Sequence, residues 1–313
     1  MRQVEVGKTG IQAGVLSYGC MRVSGAWNPK DVTPEMREAG AKAIIAAYEA
    51  GYTLFDHADI YGRGTCEEVQ ALAFQLNPEM RGKITIATKC GIRFLADPNP
   101  DSPHRYDFSR KHILWSCEQS LRRLGVETID IYQLHRPDLL MDPDEVAEAF
   151  DELHHSGKVR FFGVSNFLPS FVNALAKSWP ELVVNQVEVH LGRLDCFYDG
   201  TLDQCIERDM TPLAWSPLGG GWLGDGGTVD PKSPNAAVRT ALLEAMDAIA
   251  KKLGVSRTVL ALAWLLKHPS KIVPIVGTTN PERIRDAAKA ADLDFDREDW
   301  YRLLVAARGA GLP

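Results

Sequence analysis

Eight short apolar runs recur along the chain, and most of the gaps between them carry a helical pattern. The runs span residues 15–19, 53–58, 84–89, 129–135, 161–166, 183–189, 212–217 and 272–277. Each is too short for a helix and rich in residues that suit a pleated surface. Between them, residues 34–50 place Met36, Ala39, Ala43, Ile44, Ala47 and Tyr48 on one side. Residues 109–124 do the same with Ile113, Leu114, Cys117, Leu121 and Leu124, and residues 143–155 with Val146, Ala149, Phe150 and Leu153. Gly51 and Gly125 stand where helix C-termini need a residue of free backbone. Strand and helix alternating without a low-complexity break imply parallel pairing. Eight such units predict a (β/α)8 TIM barrel, a fold of about 250 residues before additions.

The additions are legible in the remaining length. Residues 4–11, VEVGKTGI, predict a β-hairpin turning at Gly7 to Gly10, placed to cap the bottom of the barrel. Residues 94–108 and 222–237 are long Pro/Gly/Asp-rich loops that follow the third and seventh strands. Both belong to the top face, where barrel enzymes carry function. No linker or second core interrupts residues 1–313, so a single domain is expected. The other architecture built from such alternation is an open doubly wound sheet. Its dinucleotide fingerprint after the first strand is absent, and the chain reads GCMRVSG there.

Composition narrows the function classes. A net charge of −6 argues against a nucleic-acid partner and gives no attraction to anionic membranes. The longest apolar run, residues 259–266, is far short of the roughly 20 residues that span a bilayer. The start, MRQVEVGKTG, lacks an apolar signal core. Six cysteines form no CxxC pair and no zinc spacing, which suits reduced thiols in a cytoplasmic protein.

In a parallel barrel all strand C-termini face one mouth, and here they are polar. Strand two ends in Asp56, His57 and Asp59, followed by Tyr61; strand three ends in Lys89 and strand four in His135. Strand five ends in Ser165 and Asn166, and strand six carries Asn185, Gln186, Glu188 and then His190. Strand seven ends in Trp215 and Ser216, and strand eight in Gly277, Thr278 and Thr279. A buried lysine must be paired, and Asp56 on the neighbouring strand is its candidate partner. A purely structural ion pair is one reading. The tyrosine supports another. An ammonium within hydrogen-bond reach favours the phenolate, so Lys89 is expected to lower the Tyr61 pKa from its usual value near 10. That trio would make a tuned proton donor, as carbonyl reduction requires, with His135 orienting the carbonyl oxygen.

The segments FDHADIYG, TKCG, IDIYQLHRPD, SGKVRFFGVSNF, NQVEVH, AWSPLGGG and PIVGTTNPERI together resemble the aldo-keto reductase superfamily. The likeness runs from the GKTGI hairpin to the end of the chain and is nearest to bacterial general oxidoreductases carrying DHADIYG and HRPD. It implies a catalytic tetrad of Asp56, Tyr61, Lys89 and His135. It also implies a nicotinamide dinucleotide lying extended across the mouth. By similarity, Ser165, Asn166 and Gln186 hold the carboxamide, and Trp215 stacks on the nicotinamide ring. Ser216, Leu218, Gly219, Gly220 and Gly221 pass under the pyrophosphate. At the adenosine end, Thr278 and Arg283 map onto groups that contact a ribose 2′-phosphate, with Thr279 beside them and Asp286 as an acceptor for adenine. This favours NADP(H), with NAD(H) the weaker alternative. Two departures reduce the expected affinity: Gly277 stands where many members have a lysine, and Ala287 where many have an asparagine.

The expected substrate is a small carbonyl compound or the corresponding alcohol. Candidate walls are Cys20, Met21, Trp27, Ile60, Phe94 and Arg136, under a lid formed by residues 94–108. Arg136 could bind a carboxylate or phosphate, or pack outside the mouth. The expected assembly is a monomer or weak homo-oligomer. The sequence also admits two rival readings. One is a nucleotide-sensing accessory subunit with little turnover. The other is a metal-dependent barrel hydrolase using His57, His135 and His190, although the chain has HAD where such enzymes carry HxH.

Overall fold

The structure is a computed structural model that describes residues 1–312, so Pro313 of the expected domain lies outside the described residues. An N-terminal hairpin pairs β1 (Gln3–Glu5) antiparallel with β2 (Gln12–Gly14). The barrel strands are β3 (Ser17–Gly19), β4 (Leu54–Asp56) and β5 (Thr85–Cys90), then β8 (Ile129–Leu134), β9 (Val159–Ser165), β10 (Leu182–Glu188), β11 (Thr211–Trp215) and β12 (Val273–Val276). Between β5 and β8 a second small hairpin pairs β6 (Ile92–Arg93) with β7 (Arg105–Tyr106). All eight barrel strands pair in parallel, and β12 returns to β3 to close the cylinder.

Helices cover the cylinder: α1 (Pro34–Glu49), α2 (Thr65–Leu76), α3 (Arg110–Leu124), α4 (Pro143–His155), α5 (Pro169–Leu175), α6 (Thr201–Glu207), α7 (Ala236–Leu253), α8 (Arg257–Leu266), α9 (Pro281–Ala288) and α10 (Arg297–Arg308). Their starts follow from short side chains that accept orphan N–H groups. Thr33, Ser109, Ser256 and Asp296 each cap the helix that follows. Gly125 ends α3 in the left-handed conformation, as its position in the sequence predicts. On α1 the expected face is corrected at its start. Met36 and Ala39 are exposed, and burial begins at Gly40 and Ala41 before continuing through Ala43, Ile44 and Ala47.

Two apolar layers result from the period of two along each strand. Phe55, Ile86, Tyr132 and Leu134 point outward into the helices, where Phe162 stacks on Phe150 at 4.0 Å between ring centroids. Leu54, Ala87, Ile131, Val184, Leu213 and Val273 fill the lumen. Val6, Ile11 and Ala13 of the first hairpin join this lumen cluster, so the hairpin plugs the lower end. Gly7 makes that seal, because its N–H donates to Thr211 Oγ1 at 2.8 Å. A side chain at Gly7 would bring a Cβ within 2.9 Å of Val183. On the same lumen face, Asp56 and Lys89 come two residues beyond Leu54 and Ala87, and His135 comes four beyond Ile131. The alternation that packs the bottom of the cylinder thus delivers these groups to its top.

Candidate active site

Lys89 is fully buried, and its ammonium donates to both oxygens of Asp56 at 2.8 Å, to the His57 carbonyl at 2.7 Å and to the Tyr61 hydroxyl at 3.2 Å. Gln186 Nε2 donates to Asp56 Oδ1 at 2.7 Å, which fixes the carboxylate from the opposite side of the lumen. The Tyr61 and His135 rings stand edge to face, 5.9 Å apart. The structure therefore gathers Asp56, Tyr61, Lys89 and His135 around one cavity.

The turn that carries Tyr61 is shaped by backbone in the left-handed region. Gly62, Arg63 and Gly64 have φ of 54°, 53° and 95°, after which α2 begins. A Cβ at Gly64 would lie 2.6 Å from Arg123 Cδ, so a side chain is excluded there on two counts. Behind the turn, buried Glu67 accepts from Arg123 Nε at 2.6 Å and from Thr88 Oγ1 at 2.7 Å. Thr88 precedes Lys89 on β5, so one carboxylate ties the tyrosine turn to the lysine strand. Asn166 and Ser216 also hold positive φ at strand ends, 62° and 49°. Such strain persists only where the surroundings over-determine it.

The electrostatics differ from the sequence expectation at Tyr61. Burial pushes its pKa above 10 and outweighs the opposing pull of Lys89; the Asp56 charge adds to the rise. The lysine moderates the acidity without reversing the effect of burial. For Lys89 itself, burial works against the charge, but Asp56 and Tyr61 overcome it and raise its pKa. Burial, Lys89 and Arg136 hold the His135 pKa well below 6.5, so the imidazole is neutral at pH 7. A protonated phenol and a neutral imidazole therefore stand beside a buried cation.

The cavity above the tetrad has a volume of about 710 Å³. Of the expected cofactor residues, it is lined by Ser165, Asn166, Gln186, Trp215, Ser216, Leu218, Gly220, Gly221, Gly277, Thr278, Thr279 and Arg283. Asn166 accepts from Trp215 Nε1 at 2.9 Å and donates to Ser165 Oγ at 2.8 Å and the His135 carbonyl at 3.2 Å, so indole and amide are locked together. Nothing lies within 4 Å of the places where Cβ atoms would stand on Gly220, Gly221 and Gly277. Asn280 caps α9 by accepting from the N–H groups of Glu282 and Arg283. These features fit a nicotinamide dinucleotide: a flat indole with amides at one end, open glycine backbone in the middle, and hydroxyls with an exposed guanidinium at the other end.

Two expected cofactor residues do not line the cavity. Gly219 is turned toward Trp222 and His190. Asp286 lies one turn beyond Arg283 on α9, where it accepts from Ser256 at 2.9 Å and Lys289 at 2.8 Å. Of the expected substrate walls, Met21, Trp27, Ile60 and Arg136 line the cavity. Phe94 does not; the β6–β7 hairpin carries it under Arg63, whose guanidinium carbon lies 4.6 Å from the ring centroid. Ile92 from the same hairpin lines the cavity instead. Cys20 is wholly buried behind the wall. Asp59 also points away, toward Ser116 at 2.8 Å, and burial pushes its pKa up to about 7. Gly19, Arg22, Pro217, Ile275 and Asn280 also line the cavity, and none of them is among the walls or cofactor contacts expected from the sequence.

The histidines at the strand ends diverge. His57 Nε2 meets Gln70, while His190 meets Gly192 and Glu188. Among the described residues no group of three His, Cys, Asp or Glu side chains stands close enough to hold a metal ion. No helix among them is long and apolar enough to cross a membrane.

A closed eight-stranded barrel with Asp, Tyr, Lys and His at its mouth defines a class of carbonyl-reducing oxidoreductase. The Aldo/keto reductase family model matches residues 15–305, and the chain belongs to that family. It is 39% identical over 317 residues to the 6-dehydroglucose reductase of Novosphingobium aromaticivorans, covering 99% of this chain and 96% of that protein. It is likewise 39% identical to the oxidoreductase YdhF of Escherichia coli, over 93% of this chain and 94% of the relative. Among solved structures, the glycerol dehydrogenase AKR11B4 from Gluconobacter oxydans superposes with a TM-score of 0.86 at 25% identity, covering 99% and 97% of the two chains.

Proposed function

We propose that the protein reduces aldehyde or ketone carbonyls to alcohols, reversibly, with NADP(H) as cofactor and Tyr61 as the proton donor. The observation that carries this reading is the Tyr61 hydroxyl 3.2 Å from the Lys89 ammonium, beside a His135 held neutral, in a cavity that also presents Trp215. When bound, the reduced nicotinamide supplies the hydride. Tyr61 delivers its proton to the oxygen that becomes the alcohol. Its raised pKa keeps the proton on the phenol until negative charge develops on that oxygen. Lys89 stabilises the phenolate that remains, and Asp56 and Gln186 keep the ammonium in place. Neutral His135 hydrogen-bonds the carbonyl oxygen and orients it without competing as an acid. Trp215, Asn166, Ser165 and Gln186 position the nicotinamide end.

Arg283 supports NADP(H) over NAD(H). It lines the cavity beside Thr278 and Thr279, and a guanidinium fork suits the extra phosphate. The similarity to a 6-dehydroglucose reductase and a glycerol dehydrogenase brings hydroxylated carbonyl compounds into the substrate range to be tested. The test is fluorescence titration with NADPH and NADH, followed by steady-state assays on aldehydes, ketones and sugars. Tighter NADPH binding with turnover supports the proposal. Tight binding without turnover across the panel supports a nucleotide-sensing subunit instead.

A further inference from the structure

Several half-buried arginines in this fold meet a carboxylate. Arg93 holds Asp97 and Asp107, Arg123 holds Glu67, and Arg257 holds Asp247. Arg136 does not. Among the described residues no carboxylate oxygen lies within 4.0 Å of its guanidinium. Its contact is with Trp215, whose ring centroid is 5.5 Å away. Arg136 lines the tetrad cavity and also a second cavity of about 480 Å³ beyond Trp215.

The acids nearest in the fold are already committed. Asp138, two residues on, accepts from the N–H groups of Phe108 and Leu140, each at 3.0 Å. In the second cavity, Glu188 and Asp195 are paired with Arg193 at 3.2 and 2.8 Å, and Asp199 accepts from Thr201 N at 2.9 Å. In the tetrad cavity, Asp56 is neutralised by Lys89, while Arg22 adds a further positive charge to the wall. A half-buried guanidinium with five N–H donors and no acceptor is incomplete without a ligand.

We propose that Arg136 is a specificity-determining residue that binds a carboxylate on the carbonyl substrate, so that the preferred substrates are aldehyde or ketone acids. This rests on the reductase reading above. The planar guanidinium, with its central carbon 5.5 Å from the Trp215 ring centroid, can offer the two parallel N–H···O bonds that a carboxylate accepts. Arg136 follows His135 in the chain, so the carboxylate is held on the same wall as the group that orients the carbonyl.

The experiment compares kcat/KM with NADPH for succinic semialdehyde, butanal and glyceraldehyde 3-phosphate, in the wild type and in Arg136→Met and Arg136→Lys. Met keeps an apolar stem of similar length and removes the fork. The expected wild-type preference for succinic semialdehyde over butanal is about 10- to 100-fold, the range of a charge-assisted pair. It falls to within about threefold of unity in Arg136→Met and lies between the two in Arg136→Lys. A wild-type ratio near one, or a ratio that survives Arg136→Met, overturns the proposal. A preference for the phosphorylated aldehyde alone overturns the carboxylate assignment. If no aldehyde is reduced, the reductase reading fails by itself, and calorimetric titration decides the site. Tighter binding of 4-hydroxybutyrate than of 1-butanol, lost in Arg136→Met, upholds it, and equal binding overturns it.

Discussion

Replacing Asp56 with Asn keeps the shape of the tetrad and removes one charge. In the native protein the Lys89 side chain is fully buried and the Asp56 side chain is 4% exposed, with two 2.8 Å contacts between them. The variant leaves an ammonium with the His57 carbonyl and the Tyr61 hydroxyl as partners and no counter-ion. Breaking a buried pair from one side costs about 3–5 kcal/mol. Lys89 can escape part of that cost by releasing its proton, since burial already works against its charge. At pH 7 that release costs about 4.6 kcal/mol, from a reference pKa of 10.4 at 1.36 kcal/mol per unit. At pH 9 it costs only about 1.9 kcal/mol. In the variant the folded-state pKa of Lys89 falls below its unfolded value, so the unfolded chain binds more protons and stability rises with pH. Urea unfolding of Asp56→Asn is therefore expected to show a deficit of about 3–5 kcal/mol at pH 7 that narrows to about 2 kcal/mol at pH 9. A deficit below about 1 kcal/mol at pH 7, or one equal at both pH values, refutes the reasoning. The first result means that water reaches the ammonium, and the second that the deficit does not come from the charge on Lys89.

Acid should destabilise the wild type earlier than its carboxylates alone would. Burial holds His57 at about 3 and His112 at about 4, and places His135 well below 6.5. Their folded pKa values lie under the unfolded one, so each costs about 1.4 kcal/mol per pH unit below 6.5 until it protonates in place, while Asp59, pushed up to about 7, offsets about one of the three over the same window. Urea midpoints at pH 7, 6 and 5 check this, and a flat profile contradicts it. At the far end of the cavity, Arg283→Ala is expected to weaken NADPH binding about 10- to 100-fold and NADH binding much less, since only NADPH brings the extra phosphate. Equal losses by fluorescence titration would show that Arg283 does not read that phosphate.

The parts of this site that the sequence discloses are those governed by strand periodicity. Leu54 and Asp56, Ala87 and Lys89, and Ile131 and His135 are each separated by an even number of residues. The face that fills the lumen at one end must therefore present the polar group at the other. The glycines that end helices and the Asn280-Pro281 start of α9 are equally local and equally legible. The parts that required the fold depend on distance through space. Whether Lys89 or burial wins at Tyr61 is a matter of cavity depth, which no spacing records. Phe94 left the substrate wall because β6 and β7 pair and turn it onto Arg63. Asp286 is absent from the cavity wall because its carboxylate is engaged by Ser256 and Lys289, and Ser256 is a partner that only the fold brings to it. Arg22 lies in an irregular loop, where no period assigns a face.

The central claim is that Tyr61 donates the proton, and Tyr61→Phe tests it most directly. NADPH is bound first, an aldehyde is mixed in, and loss of cofactor fluorescence is followed through one turnover. The account predicts hydride transfer at least about 100-fold slower than in the wild type, with NADPH affinity within about threefold. An unchanged single-turnover rate in a variant that still binds NADPH would contradict it.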